Sequence, residues 1–105
     1  MGVLKGVLKE EFQNSLRLKK SYERELARLP KGVLVKKKIK GHEYYYLLLR
    51  ENGKVRFIYK GKISQDEVKR YRKIKGDRDK LKALLSKVKK QIKFLQKALH
   101  GKEDV

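Results

Sequence analysis

Lys36, Lys38 and Lys40 stand at alternate positions of the run VLVKKKIK. On an extended strand, alternate side chains project to one side about 7 Å apart, a separation similar to that of successive phosphates along a DNA strand. Lys60 and Arg56 follow in VRFIYKGK, and Tyr45 sits in the triple HEYYY. A lysine supplies a point charge for phosphate. The planar fork of Arg56 can bind a guanine edge in bidentate fashion, and the ring of Tyr45 can stack on an exposed base. A second basic run, KRYRKIK, places Lys69, Arg70, Arg72 and Lys73 around Tyr71 and Ile74. The chemistry on offer is electrostatic contact with a polyanion.

Covalent catalysis finds no support. General acid–base work needs titratable groups converging on one site, whereas the 12 acidic residues are scattered and mostly lie beside Lys or Arg. Ser15, Ser21, Ser64 and Ser86 have no base partner in the pattern. The adjacent pair His42-Glu43 reads as turn chemistry. There is no cysteine, and His42 and His100 are too far apart in sequence to suggest a metal site. GKIS at residues 61–64 lacks the phosphate-loop pattern. The expectation is a non-enzymatic protein with no cofactor and no metal. No apolar run approaches the roughly 20 residues needed to span a bilayer, and the start, MGVLKGVLKEEF, is not a signal peptide. The expected setting is the cytoplasm.

Charge argues in the same direction. The 105 residues carry 31 basic and 12 acidic side chains, a formal net charge of +19. A solvated globular surface stays far closer to neutrality, and an excess this large works against compactness unless a polyanion or salt relieves it. The excess is localised. Residues 1–29 hold seven basic and four acidic side chains, residues 30–63 ten and two, and residues 64–105 fourteen and six.

Three segments must position these groups. In the first, Leu8, Phe12, Tyr22, Leu26 and Leu29 follow a helical spacing, with Leu16 beside them and Ser15 and Lys19 on the same stripe. Leu29-Pro30 ends that helix, since proline disfavours helical geometry in the residue before it. The last segment opens with SQDE. Ser64 is a suitable N-cap, Glu67 completes a capping box, and Asp66 and Glu67 suit the positive end of the helix dipole. From there Tyr71, Ile74, Arg78, Leu81, Leu85, Val88, Ile92, Leu95 and Leu99 alternate by three and four, a heptad seam with one polar member. The unbroken phase favours one long helix over a break at Gly76-Asp77. Two such helices predict an antiparallel coiled-coil hairpin, with part of the longer seam left for a second copy of the chain.

Between them, residues 30–63 read as three strands, about 33–40, 43–51 and 54–60. Asn52-Gly53 is a strong signal for a type I′ turn, and Gly41-His42 is read as a second two-residue turn. These turns would set Arg50 opposite Val55, Leu48 opposite Phe57 and Tyr46 opposite Tyr59. On the other side they would set Ile39 opposite Tyr44, Lys37 opposite Tyr46 and Val35 opposite Leu48. One face then carries Val35, Ile39, Tyr44, Tyr46, Leu48, Val55, Phe57 and Tyr59, expected to be the core under the helices. The opposite face carries Leu34, Lys36, Lys38, Lys40, Tyr45, Leu47, Leu49, Arg56, Ile58 and Lys60, expected to be open and to meet the polyanion.

The stretch KKKIKGHEYYYLLLRENGKVRFIYKGKIS with its following helix resembles the three-stranded, AP2-like arm-binding domains of tyrosine integrases. The resemblance covers the middle third of the chain and implies a DNA-reading sheet with Lys36, Lys38, Tyr45, Arg56 and Lys60 at its binding face. No recombinase catalytic domain accompanies it. The wider pattern beginning LPKGVLVKKKIKG is also similar to an uncharacterised family of small prokaryotic proteins.

The sequence therefore predicts an α+β chain, two long helices in a coiled-coil hairpin with an inserted three-stranded antiparallel β-meander, forming a single domain. The favoured role is nucleic-acid binding, DNA ahead of RNA, through Lys36, Lys38, Lys40, Tyr45, Arg56, Lys60, Lys69, Arg70, Arg72 and Lys73. The alternatives are an interaction or assembly module, antitoxin-like, that meets an acidic protein, and an RNA- or ribosome-associated protein.

Overall fold

The computed structural model describes residues 2–101 and has the expected α+β arrangement, two helices with a three-stranded antiparallel sheet between them in the chain. Helix α1 (Gly2–Arg28) is followed by strands β1 (Val33–Ile39), β2 (His42–Glu51) and β3 (Lys54–Gly61), and helix α2 (Gln65–Gly101) closes the chain. The strands form an antiparallel meander in the order β1-β2-β3. Two compact units result: one contains α1 and α2 from Asp79 onward, the other is Leu29–Arg78.

In the helical unit, the stripe read from the sequence is the buried one. Val88, Ile92 and Leu95 of α2 are core residues, and Ser15, the small member of the α1 stripe, is buried as well. Phe12 of α1 lines a cleft with Leu99 and His100 of α2, so the start of α1 meets the end of α2 and the two run antiparallel. Gly76-Asp77 does not interrupt α2.

The sheet unit begins at the cap of α2. The Glu67 amide donates to Ser64 Oγ at 3.2 Å and the Val68 amide to the Ser64 carbonyl at 3.1 Å, so Ser64 takes up the first free donors of the helix. The second hairpin has the predicted register, with Arg50 opposite Val55, Leu48 opposite Phe57 and Tyr46 opposite Tyr59.

The first hairpin does not. Its two-residue turn is Lys40-Gly41, at φ 50° and 81°, and Ile39 pairs with His42, Lys37 with Tyr44, Val35 with Tyr46 and Val33 with Leu48. A type I′ turn needs positive φ at both central positions. Lys40 accepts that strain, and the turn closes one residue earlier than expected. Each pairing thereby slips by two residues. Because side chains alternate with a period of two, a slip of two leaves each of them on its predicted face.

What the slip preserves, the packing inverts. Tyr45 is 6% exposed and Leu47 8%, while Val68 in the first turns of α2 is 1% exposed. Those turns are the only helix in the sheet unit, and the buried side chains put the unit's core on the face holding Leu34, Tyr45, Leu47, Leu49 and Ile58. The loop after α1 closes over it. A side chain at Gly32 would put its Cβ 2.8 Å from Leu47 Cγ and Cδ1 and 3.0 Å from Leu49 Cδ2, and Gly32 has φ 107°, a conformation that favours glycine. Arg78, the polar member of the α2 seam, holds this loop: its guanidinium donates to the Gly32 carbonyl at 3.1 Å and to the Pro30 carbonyl. The expected core face, by contrast, is turned to solvent, with Phe57 51% and Tyr59 59% exposed.

Candidate nucleic-acid interface

The open side of the meander is an aromatic surface with a cation at its middle. The register sets Val33, Leu48 and Phe57 in one cross-strand row, Val35, Tyr46 and Tyr59 in the next, and Lys37 with Tyr44 in a third. Neighbouring rows on one face lie within reach of long and aromatic side chains. The rings use this. Tyr46 and Tyr59 have centroids 5.3 Å apart at 60°, and Tyr44 and Tyr59 6.3 Å apart at 40°, tilted geometries suited to the ring quadrupoles. His42 continues the row, 6.4 Å from Tyr44. Lys37 extends across the sheet, its Nζ 4.9 Å from the Tyr46 ring centre and 5.0 Å from that of Phe57. Both distances are within cation–π range.

At the far edge β3 carries an irregularity. Tyr46 pairs with Tyr59, yet Tyr45 pairs with Gly61, leaving Lys60 as an extra residue. The Tyr59 ring lies close to Gly61, where a Cβ would come 3.3 Å from its hydroxyl oxygen. A bulge of this kind re-aims side chains at a sheet edge. Here Tyr59 stays on the open face and Lys60 is removed from the regular alternation.

The residues expected to form the interface are only partly gathered. Tyr45 is buried and out of reach of any base, which corrects the role assigned to it. Lys36, Lys38 and Arg56 share its side of the sheet and are exposed, because the cover stops short of them. Lys36 is within 3.6 Å of Glu43. Lys40 belongs to the turn and Lys60 to the bulge, so the five cations rim the sheet instead of surrounding an open apolar ridge. Leu47, the centre of that ridge, is core. Lys69, Arg70, Arg72 and Lys73 are exposed on the first turns of α2, and the Arg70 guanidinium lies 5.8 Å from the Tyr71 ring centre.

The residues of this open face that the sequence reading left out of the candidate site are Lys37, Tyr44, Tyr46, Phe57 and Tyr59. One signal pointed to them. Lys37 falls in the middle of the face read as core, where burial of an unpaired ammonium is costly. The lysines on the other face crowd toward one end of β1 and leave Leu34, Tyr45, Leu47, Leu49 and Ile58 as an uninterrupted apolar patch.

Among the described residues no group of three or more His, Asp or Glu is placed to hold a metal ion, and no helix is long and apolar enough to cross a membrane.

Comparison with known proteins yields no match among curated proteins and none among solved structures. The family that is found is not that of the integrase arm domains. It accords instead with the similarity to small uncharacterised proteins. The family model of a domain of unknown function, DUF6788, matches residues 8–70, spanning most of α1, the whole meander and the first turns of α2, and the chain belongs to that family.

Proposed function

We propose that the protein is a non-enzymatic nucleic-acid-binding protein whose open sheet face takes the unstacked bases of a single strand. The observation carrying this reading is the half-exposed aromatic row of Phe57 and Tyr59 beside Tyr46, with Lys37 poised over the rings. Every base has a π-face, so stacking on such a platform needs no particular sequence. Duplex bases are already stacked and present only their edges, so an aromatic sheet surface favours a single strand. The ammonium of Lys37 leaves the ring faces when a base arrives and meets the adjacent phosphate. Lys36, Lys38, Lys40, Lys54, Arg56 and Lys60, all exposed around the sheet, supply the remaining phosphate contacts. The role expected of a DNA-reading sheet is thereby moved to the other face and to a single-stranded ligand, with DNA as the first polymer to try.

The test is a fluorescence-anisotropy titration of a labelled oligothymidylate. Tyr46→Ala with Tyr59→Ala is expected to weaken binding by about five- to 150-fold for each base that loses its stacking partner, from about 1–3 kcal/mol per base. An unchanged affinity in that variant, with its circular dichroism intact, refutes the platform.

A second reading rests on Val55 and Phe57, half-exposed in adjacent rows of the same face. They form a small apolar patch that suits a protein partner. Complex formation that hardly responds to salt would select this reading over the first, because phosphate contacts are strongly salt-dependent.

A further inference from the structure

From Lys80 to Gly101, α2 contains Lys80, Lys82, Lys87, Lys89, Lys90, Lys93 and Lys97 and not one Asp, Glu or Arg. All seven lysines are exposed, and among the described residues none lies within ion-pair distance of a carboxylate. This stretch lies outside the residues matched by the family model, and it belongs to the helical unit, not to the unit that holds the sheet. At about 100° per residue, buried Val88, Ile92 and Leu95 mark the inward side of the helix. Lys90 and Lys97 then point directly away from it. Lys82, Lys89 and Lys93 flank them on one side, and Lys80 and Lys87 on the other. Members of a row recur about every 10 Å along the axis, except Lys89 and Lys93, which are about 6 Å apart.

We infer that this face of α2 is a second binding surface, one that takes the phosphate backbone of a nucleic-acid duplex without regard to sequence. Two features of the side chains carry the choice. Lysine is a compact, hydrated point charge, whereas the planar fork needed to read base edges belongs to arginine. Every Arg of α2 lies before this stretch, at Arg70, Arg72 and Arg78. Second, parallel rows of cations on either side of a helix match the two phosphate walls of a groove. A duplex also has twice the axial charge density of a single strand. Phe94, 69% exposed within this face, is a lone ring and too little apolar surface to seat the helix in a lipid interface. Its ligand differs from that of the aromatic platform, since a duplex presents no unstacked base for the platform to hold.

The experiment measures affinity of the full chain for a mixed-sequence duplex of about 20 base pairs as a function of salt. In Lys82→Gln/Lys89→Gln/Lys93→Gln/Lys97→Gln, the slope of log K against log salt is expected to fall by about 0.9 per lost contact, or about 3–4 in total. The same four positions changed to Arg should keep the wild-type slope. Glutamine and lysine have similar helix propensity, and circular dichroism verifies the fold of both variants. An unchanged slope and affinity in the folded Gln variant overturns the inference. So does a loss confined to phosphatidylserine vesicles with duplex binding intact, which would assign the face to an anionic membrane surface instead.

Discussion

Replacing Leu47 and Phe57 by alanine, one at a time, tests which side of the meander is inside. Leu47 is 8% exposed and lies beneath the loop at Gly32, where a single added carbon would already overlap its side chain. A packed Leu→Ala truncation of this kind costs about 2–5 kcal/mol, because the lost transfer energy is joined by that of a cavity. Phe57 is 51% exposed. Full burial of such a side chain contributes about 1.5–3 kcal/mol, and half of that, without a cavity term, is about 1 kcal/mol. A chain of 105 residues has a total stability of roughly 5–15 kcal/mol, so the first change removes a large fraction and the second a small one.

Urea unfolding resolves the difference. With a slope of about 2 kcal/mol per molar, Leu47→Ala should lower the midpoint by at least about 1 M and Phe57→Ala by about 0.5 M. Tyrosine fluorescence is the better probe, because four of the six tyrosines (Tyr44, Tyr45, Tyr46 and Tyr59) lie in the meander, whereas circular dichroism is dominated by the helices. Single-strand affinity should respond in the opposite order: Phe57→Ala weakens it by about fivefold or more, while Leu47→Ala leaves it intact at urea concentrations where the variant is folded. A Phe57→Ala variant as unstable as Leu47→Ala, or more so, refutes the assignment of faces and the platform with it.

Two further substitutions probe the local geometry. Gly32→Ala forces a side chain into positive φ and into contact at 2.8 Å with Leu47. The backbone strain and the overlap should together cost about 2–4 kcal/mol in the same unfolding assay, and a cost below about 0.5 kcal/mol would mean that the loop does not close over the leucines. Lys40→Asn creates an Asn-Gly pair in the turn where Lys40 now holds φ 50°. It should stabilise the protein by about 0.5–1 kcal/mol, whereas no gain or a loss would argue for the turn one residue later.

Much of the fold was legible because local signals agreed. Pro30 stops one helix, Ser64 and Glu67 start the next, and Asn52-Gly53 fixes the second hairpin. The seam from Tyr71 to Leu99 is buried or half-buried at every position. Even the one polar member, Arg78, has a reason invisible to periodicity: it is needed for the carbonyls of Pro30 and Gly32, 48 and 46 residues away. The first turn was misread because glycine was assigned to the first central position. Lysine has no local feature that announces a positive φ.

The open face was not legible from alternation alone, since alternation says which residues share a side and not which side is covered. Both sides of this meander are apolar enough to be a core. Two non-local facts decide between them. Val68 must find a partner, because it is an apolar side chain only 1% exposed in the first turns of α2. The chain at Gly32 must also pass over a flat aliphatic surface, with no room for a side chain. Leu34, Leu47, Leu49 and Ile58 provide that surface, whereas a helix laid on the opposite side would have to bury Lys37. The cation that such a helix would have to bury is also the one that sits above Tyr46 and Phe57. Lys37 thus adds to the two facts that favour covering the other side. In the Lys37→Leu variant the solvent-facing rings would lose their cation and gain an apolar neighbour, which links the choice of core to the chemistry of the open side.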